Sequence, residues 1–155
     1  MRNTRIGRVP SGLAMAGLVA TLTTIAAAQA PPSRTPLPPA VLKAFQQAYP
    51  SATISATSQE RNADRPAFRV ESVDKGRRRV VLYDPSSAVI EVAEQVDERE
   101  LPQPVAAAMH SHPRAIYVSG IKVTRGGSVQ YQLTLRGTRK TAMLAKPDGT
   151  VISFK

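Results

Sequence analysis

The chain has no cysteine and few aromatic residues: four tyrosines and three phenylalanines among 155 residues. The absence of cysteine excludes disulfides, thiol nucleophiles, thiolate zinc sites and iron–sulfur clusters. Four of the aromatics fall on faces predicted to be buried, Phe45, Phe68, Tyr131 and Phe154. Few platforms are therefore left on which nucleotide bases could stack, and we expect no nucleic-acid partner. Chemistry is left to hydroxyls, carboxylates, amines and two histidines. The length suits one domain or two very small ones.

Motifs that carry catalysis are also absent. The chain has no Gly-x-Ser-x-Gly elbow, no His-Glu-x-x-His helix, no phosphate-cradling glycine loop and no dinucleotide fingerprint. We therefore expect a protein that is not an enzyme, with no catalytic residues and no cofactor. An enzyme whose site assembles from scattered serines, histidines and acids is the alternative, because triads are recognised by geometry and not by order.

The first 28 residues have the organisation of a secretory signal peptide. Arg2, Arg5 and Arg8 precede an apolar stretch of 17 residues, Gly12–Ala28. Small residues at its end predict cleavage near Ala28. Because the stretch is short for a hydrocarbon core of ~30 Å, we expect export to the periplasm or the medium and not a membrane anchor.

Positive charge is concentrated in the second half of the chain. The whole sequence has 21 basic and 11 acidic residues, a net charge of +10. Residues 37–100 hold 9 bases and 10 acids, whereas residues 101–155 hold 8 bases and a single acid, Asp148. This asymmetry favours an acidic protein or peptide partner. An anionic membrane surface is an alternative partner, and a basic surface that only maintains solubility and protects strand edges is another interpretation.

Two stretches of the sequence echo each other. Leu37–Val41 matches Leu101–Val105 at a spacing of 64, and Tyr49-Pro50 matches His112-Pro113 at a spacing of 63. Each copy predicts a helix that prolines open, followed by strands in which apolar and polar residues alternate. The predicted fold class is α+β, with two tandem repeats of a helix and a four-stranded antiparallel meander, the sheets joined or side by side and the helices on one face.

These patterns divide the chain into four segments. We expect a signal peptide at 1–28, a proline-rich arm at 29–36, a first repeat at 37–96 and a second repeat at 97–155. The predicted strands are 52–57, 67–73, 78–84, 88–93, 116–124, 129–136, 140–145 and 150–154.

The repeated Leu-Pro-x-x-Val starts, the Tyr-Pro and His-Pro helix ends, and the closing hairpins at 83–85 and 146–152 resemble PepSY-like domains of exported bacterial proteins. Those domains are grouped by fold with the tandem-repeat β-lactamase inhibitor protein (BLIP). The resemblance covers Leu37–Phe154. It implies a periplasmic or secreted module that binds, inhibits or regulates, with no known catalytic residues.

Polar side chains on the solvent-facing side of the strands are the candidate contact surface. We expect Gln130, Gln132 and Arg136, followed by Arg139 and Lys140, to bind a partner through hydrogen bonds and ion pairs with acidic groups. The predicted function is thus a non-enzymatic binding, inhibitory or regulatory module that uses the exposed sheet face. A basic protein resting on the membrane surface is the alternative.

Several other charged groups have structural interpretations. Residues 77–79, three consecutive arginines, are predicted to form a surface turn. We expect His112 to pack in the apolar stripe of the second helix and His110 to be a cation at its end, with no metal site. The acidic residues between the halves are expected to form a solvated connector or a tether to the basic half. They are Glu91, Glu94, Asp97, Glu98 and Glu100. A basic surface is expected from Lys122, Arg125, Arg136, Arg139, Lys140 and Lys146.

Overall fold

The computed structural model describes residues 34–155 with the exception of residue 113. The predicted signal peptide and the first part of the arm lie outside the described residues. The elements are α1 (Pro39–Ala48), β1 (Thr53–Asn62), β2 (Arg65–Asp74), β3 (Arg77–Tyr83), β4 (Val89–Val96), a 3₁₀ helix (Glu98–Glu100), α2 (Gln103–His110), β5 (Ile116–Arg125), β6 (Ser128–Arg136), β7 (Lys140–Ala145) and β8 (Val151–Phe154).

All eight strands belong to one antiparallel sheet, in the order β1-β2-β3-β4-β5-β6-β7-β8. Our expectation of two tandem repeats, each a helix with its own four-stranded meander, is therefore wrong. Strand β4 pairs with β5 from Glu91 opposite Arg125 to Val96 opposite Gly120, so the sheet has no boundary halfway. Strands form most of the described chain, with only two short α-helices. The physical reason is that separate meanders would leave rows of backbone N–H and C=O groups unpaired at their edges.

Prolines set the starts and ends of the helices. Pro38 and Pro102 precede the helices with ψ of 138° and 141°. A proline also occupies one of the first two helical positions of each, where its missing N–H has no partner to lose. Tyr49 leaves the helical region at φ −135°, ψ 66°, because the residue before a proline is disfavoured there. At the end of α2 the Ser111 hydroxyl donates to the Ala108 carbonyl at 2.7 Å.

Both helices pack on the same face of the sheet, each through two residues four positions apart. This spacing places the two side chains on one side of a helix. The core under α1 consists of Val41, Phe45, Val70, Val81 and Tyr83. The core under α2 consists of Leu101, Val105, Met109, Tyr131, Leu133, Leu135, Met143 and Ala145.

The predictions for the arginine run and for Phe154 are wrong. The arginine run was expected to form a turn, but β3 begins at Arg77. Acidic neighbours hold these arginines on the strand: Arg77 Nη1 lies 2.6 Å from Glu100 Oε1, and Arg79 Nε lies 2.8 Å from Glu94 Oε1. Phe154, which the alternation predicted to be buried, is 41% exposed. It lies on the outermost strand, beyond which no described strand packs.

The two edges of the sheet are protected in different ways. Along β1, the Thr35 N–H donates to the Thr57 carbonyl at 3.0 Å, and the Thr57 hydroxyl donates to the Thr35 carbonyl at 2.7 Å. At the opposite edge, β8 has only four residues, a register shift opposite β7, and Lys155 at its end. Short strands, bulges and lysines all discourage pairing with another sheet.

The turn between β7 and β8 depends on Gly149. Its φ is +85°, and a Cβ at this position would lie 2.6 Å from the carbonyl oxygen of Pro104. The turn itself is closed by the Lys146 N–H, which donates to the Thr150 carbonyl at 2.9 Å. The closing hairpin thus rests directly on the start of α2.

We expect Gly149→Ala to lower the free energy of unfolding by about 2 kcal/mol or more, because the left-handed conformation is unfavourable for alanine and the Pro104 backbone must move. Gly76→Ala is the matched control: its φ is +80°, but a Cβ there meets nothing within 4 Å. The free energy of unfolding of this variant should fall by only about 1 kcal/mol. Urea denaturation measures both, and equal losses would contradict a role for the Pro104 contact.

The hydroxyl of Tyr83 is buried in the α1 core with no hydrogen-bond partner among the described residues. Burial, with a smaller effect from Tyr49, raises the pKa of Tyr83 to about 12. The folded protein therefore keeps this proton at a pH where the unfolded chain, with a pKa of 10.0, has lost it.

The free energy of unfolding should consequently fall as pH rises from 10 to about 12. Tyr83→Phe should make this fall shallower, since it removes the titrating group. Near pH 7 the same variant should change stability by less than about 1 kcal/mol, because no hydrogen bond is lost. Denaturation of both proteins at several pH values checks this, and parallel pH profiles would refute it.

Candidate functional site

The face of the sheet opposite the helices is the candidate site, and we name it the open face. Val81 and Leu133 point towards the helices and lie in the two cores. Their neighbours along each strand therefore point to the other side. Since both α-helices pack on the core side, no helix of the described residues covers the open face.

An apolar strip crosses the middle of the open face. Val80, Ala93 and Val123 lie opposite one another on β3, β4 and β5. Leu82 on β3 and Ile121 on β5 extend the strip on either side, two residues along their strands. Ala93 is only 9% exposed, and the other four are half-buried. Contiguous apolar surface of this kind marks interaction sites.

Sequence reasoning missed this strip because it assigned partner contacts to polar side chains alone. The available signal was the uninterrupted apolar run 80–83 in β3. Such a run indicates a strand whose two faces are both apolar, in contrast to the alternation of β6.

Gln130 and Gln132, two of the five predicted contact residues, lie beside the strip on β6. Gln130 is opposite Val123, and Gln132 is between Ile121 on β5 and Leu144 on β7. Both glutamines are half-buried. Their amides supply hydrogen-bond donors and acceptors at the border of the apolar surface.

The three predicted cations lie at one end of the sheet, two of them on the open face. Arg136 on β6 is directly opposite Lys140 on β7, and Arg139 lies in the turn between them. All three are exposed. The structure thus brings four of the five predicted residues onto the open face, whereas Arg139 in the turn lies near Leu135 and Phe154 of the helix side. The assignment of all five to partner binding stays a prediction.

Ion pairs in the described chain are formed by residues between 60 and 125. Arg125, expected on the basic surface, is paired with Glu91. Lys122 lies on the helix side, opposite Glu94 and Tyr131. Beyond residue 126 the only acid is Asp148, and the cations of that stretch form no ion pair with a described residue. These cations are Arg136, Arg139, Lys140, Lys146 and Lys155.

The acidic segment between the halves is structured, with Asp97, Glu98 and Glu100 exposed to solvent and Glu91 paired with Arg125 of the basic half. Glu91 and Glu94 belong to β4 and pair with arginines. Asp97 and Glu100 form a capping box around the 3₁₀ helix, to which Arg77 is paired. The hydrogen bond from the Asp97 backbone N–H, followed by the one from Arg77, lowers the pKa of Glu100.

The histidines are separated by the end of α2. His110 Nε2 lies 3.3 Å from Glu98 Oε1. His112 follows the helix and not its apolar stripe, because α2 ends at His110; its ring stacks on Phe154 with 3.8 Å between centroids. Among the residues that the structure describes, no group of three or more His, Asp or Glu side chains could hold a metal ion. Neither described α-helix is long and apolar enough to cross a membrane.

No protein-family model matches the chain, and no curated protein matches it. Solved structures do share its fold. A BLIP-like protein from Bacteroides fragilis has a TM-score of 0.60 at 17% identity, over 78% of this chain and 86% of that one. A DUF2874 family protein from Bacteroides uniformis has a TM-score of 0.62 at 15% identity, over 77% and 88%.

A third structure, named as a periplasmic protein from Bacteroides eggerthii, has a TM-score of 0.64 at 16% identity, over 78% of this chain and 89% of that one. At these identities the likeness shows the fold alone, and the chain has a BLIP-like fold. The expected resemblance is confirmed at this level, whereas no family match supports the PepSY-like designation.

Arg136 and Lys140 lie opposite each other on neighbouring strands, and we expect a measurable repulsion between their charges. Like charges opposite each other on neighbouring strands are destabilising by about 0.2–1 kcal/mol, so Arg136→Gln should raise the free energy of unfolding by this amount at low salt. The gain should shrink in ~1 M salt. Arg69→Gln is the control, because Arg69 is paired with Glu60 and Glu71 and its loss should destabilise. Denaturation curves at low and at high salt concentration test this expectation. A lower free energy of unfolding for Arg136→Gln as well as for Arg69→Gln would contradict the repulsion.

Proposed function

We propose that this chain is an exported, non-enzymatic module that binds a protein or peptide of the cell envelope through the open face and inhibits or regulates it. The observation that carries the proposal is the apolar strip of Val80, Ala93 and Val123, bordered by Gln130 and Gln132. An apolar centre with a polar rim is the usual composition of a protein interface.

Charge supports an acidic partner. Arg136 and Lys140 at one end of the open face, and Arg139 in the turn between their strands, have no carboxylate partner among the described residues. Exposed arginines and lysines form charge-assisted hydrogen bonds with carboxylates. They also speed the encounter with an acidic surface.

A periplasmic or secreted location is part of the proposal. It rests on the signal-peptide pattern of residues 1–28, with cleavage near Ala28. The name of the Bacteroides eggerthii structure, a periplasmic protein of the same fold, supports it. The BLIP-like name of the Bacteroides fragilis structure supports a binding or inhibitory role.

The test begins with capture of partners by the tagged, exported protein from an envelope extract, followed by mass-spectrometric identification. Affinity for the purified partner is then compared between the natural chain and the triple variant Gln132→Glu, Arg136→Glu, Lys140→Glu. Because the variant turns donors and cations of the open face into carboxylates, an acidic partner should bind at least about tenfold more weakly.

The matched control is Lys43→Glu, Gln46→Glu, Arg99→Glu, which makes the same change of charge at exposed positions of α1 and the 3₁₀ helix. Unchanged affinity in the control would assign the contact to the open face. Unchanged affinity in both triple variants would refute the site. Binding to anionic vesicles that both variants weaken equally would favour the membrane-surface alternative.

A further inference from the structure

The two ends of the apolar strip on the open face differ in their charges. At the end next to Leu82, the Nε of Arg125 donates to Glu91 Oε2 at 2.7 Å, across the β4–β5 ladder. At the same end, Arg69 on β2 is directly opposite Leu82 and is paired with two carboxylates, those of Glu60 and Glu71. The cations at this end are therefore already bound to carboxylates of the protein itself.

A different arginine lies at the other end of the strip. Arg78 on β3 is two residues before Val80, so both side chains point to the open face. Arg78 is exposed, and its backbone N–H donates to Gln95 Oε1 on β4 at 3.3 Å. Gln95 lies beside Ala93 on the same face and is also exposed. Because the oxygen of the Gln95 amide is used, its two N–H donors are left for a ligand.

The charge of Arg78 is not neutralised by a described residue, since it belongs to none of the ion pairs of the described chain. The other carboxylates of this part of the sheet are paired with Arg77 or Arg79, which point to the helix side. They are Asp74, Glu94, Asp97 and Glu100. An exposed guanidinium thus borders an apolar surface with no carboxylate of its own.

We propose that Arg78 determines the specificity of the open face by binding a carboxylate that the partner carries close to the apolar side chain lying on the strip. This role depends on the proposed function, because it concerns a partner bound to the same face. A guanidinium binds a carboxylate through two parallel hydrogen bonds, and the Gln95 amide adds a donor beside it. Arg69 and Arg125 at the other end are occupied, so a segment bound in the reverse direction would leave its carboxylate unpaired.

Strand geometry defines the partner segment that fits. Arg78 and Val80 are two residues apart, which is about 7 Å along a strand. An extended segment has the same repeat, with every second side chain on one face. When an apolar side chain of such a segment lies over Val80, an acidic residue two positions away reaches Arg78. The expected partner therefore presents an extended segment with this pair of residues.

The test is selection from a displayed library of short random peptides, carried out in parallel on the natural chain and on Arg78→Glu. The natural chain should enrich peptides with an acidic residue two positions from an apolar one. Arg78→Glu should enrich lysine or arginine at the acidic position instead, because the charge of the site is reversed. Arg61→Glu is the matched control, since Arg61 is exposed and lies opposite Pro66 on the helix side of β1. It should enrich the same peptides as the natural chain.

The dissociation constant of an enriched peptide is then measured for the natural chain and for Arg78→Gln, with urea denaturation to show that each variant is folded. Arg78→Gln should bind about tenfold more weakly, since a hydrogen-bonded charge is lost. Replacement of the acidic residue of the peptide by its amide should abolish this difference.

A preference for acidic residues that persists in Arg78→Glu, or that Arg61→Glu changes equally, would overturn the role of Arg78. Enrichment of peptides without an acidic residue would also overturn it, and both results would leave binding at the open face intact. Failure of the natural chain to enrich any peptide would overturn the role of Arg78 together with peptide binding at the open face.

Discussion

Backbone hydrogen bonds between β4 and β5, from Glu91 with Arg125 to Val96 with Gly120, join the part of the sheet under α1 to the part under α2. The apolar strip runs across this ladder on the open face, and the charged side chains of Arg79, Glu94 and Lys122 lie across it on the helix side. The candidate site therefore depends on this one set of strand pairs. Separation of these strands would uncover two strand edges and divide the site.

The two faces of the central strands carry opposite chemistry one residue apart. Arg79, Glu94 and Lys122 form a charged row on the helix side, and the adjoining residues Val80, Ala93 and Val123 form the apolar strip on the open face. A sheet covered on one side usually places its apolar residues under the helices. At the centre of this sheet the apolar residues lie on the open face instead, whereas the two cores on either side have the usual arrangement. A register slip of one residue would exchange the two rows, so the correct register is a condition for the candidate site.

Local features of the fold could be predicted from the sequence because their causes are local. Prolines marked the helix starts, the alternation in β6 placed Gln130 and Gln132 on the solvent side, and the predicted strands agree with the observed ones to within a few residues. The sequence left open whether the sheets are joined or side by side, because pairing of β4 with β5 depends on contacts distant in sequence. The similarity between the two halves suggested two repeated units, whereas the strands form one continuous sheet. The predicted turn at the arginines of β3 was wrong for a similar reason, since the acids that pair with Arg77 lie about 20 residues further along the chain.

The hydrogen bonds between Thr35 and Thr57 have a practical consequence for anyone who shortens the gene. A chain that begins at Leu37, where α1 and its proline start would suggest a natural boundary, lacks the segment that lies along β1. The Thr57 carbonyl would then be free to pair with a strand of another molecule, and an uncovered edge strand favours aggregation. A shortened chain that keeps a few residues before the first helix retains this contact at the edge of β1.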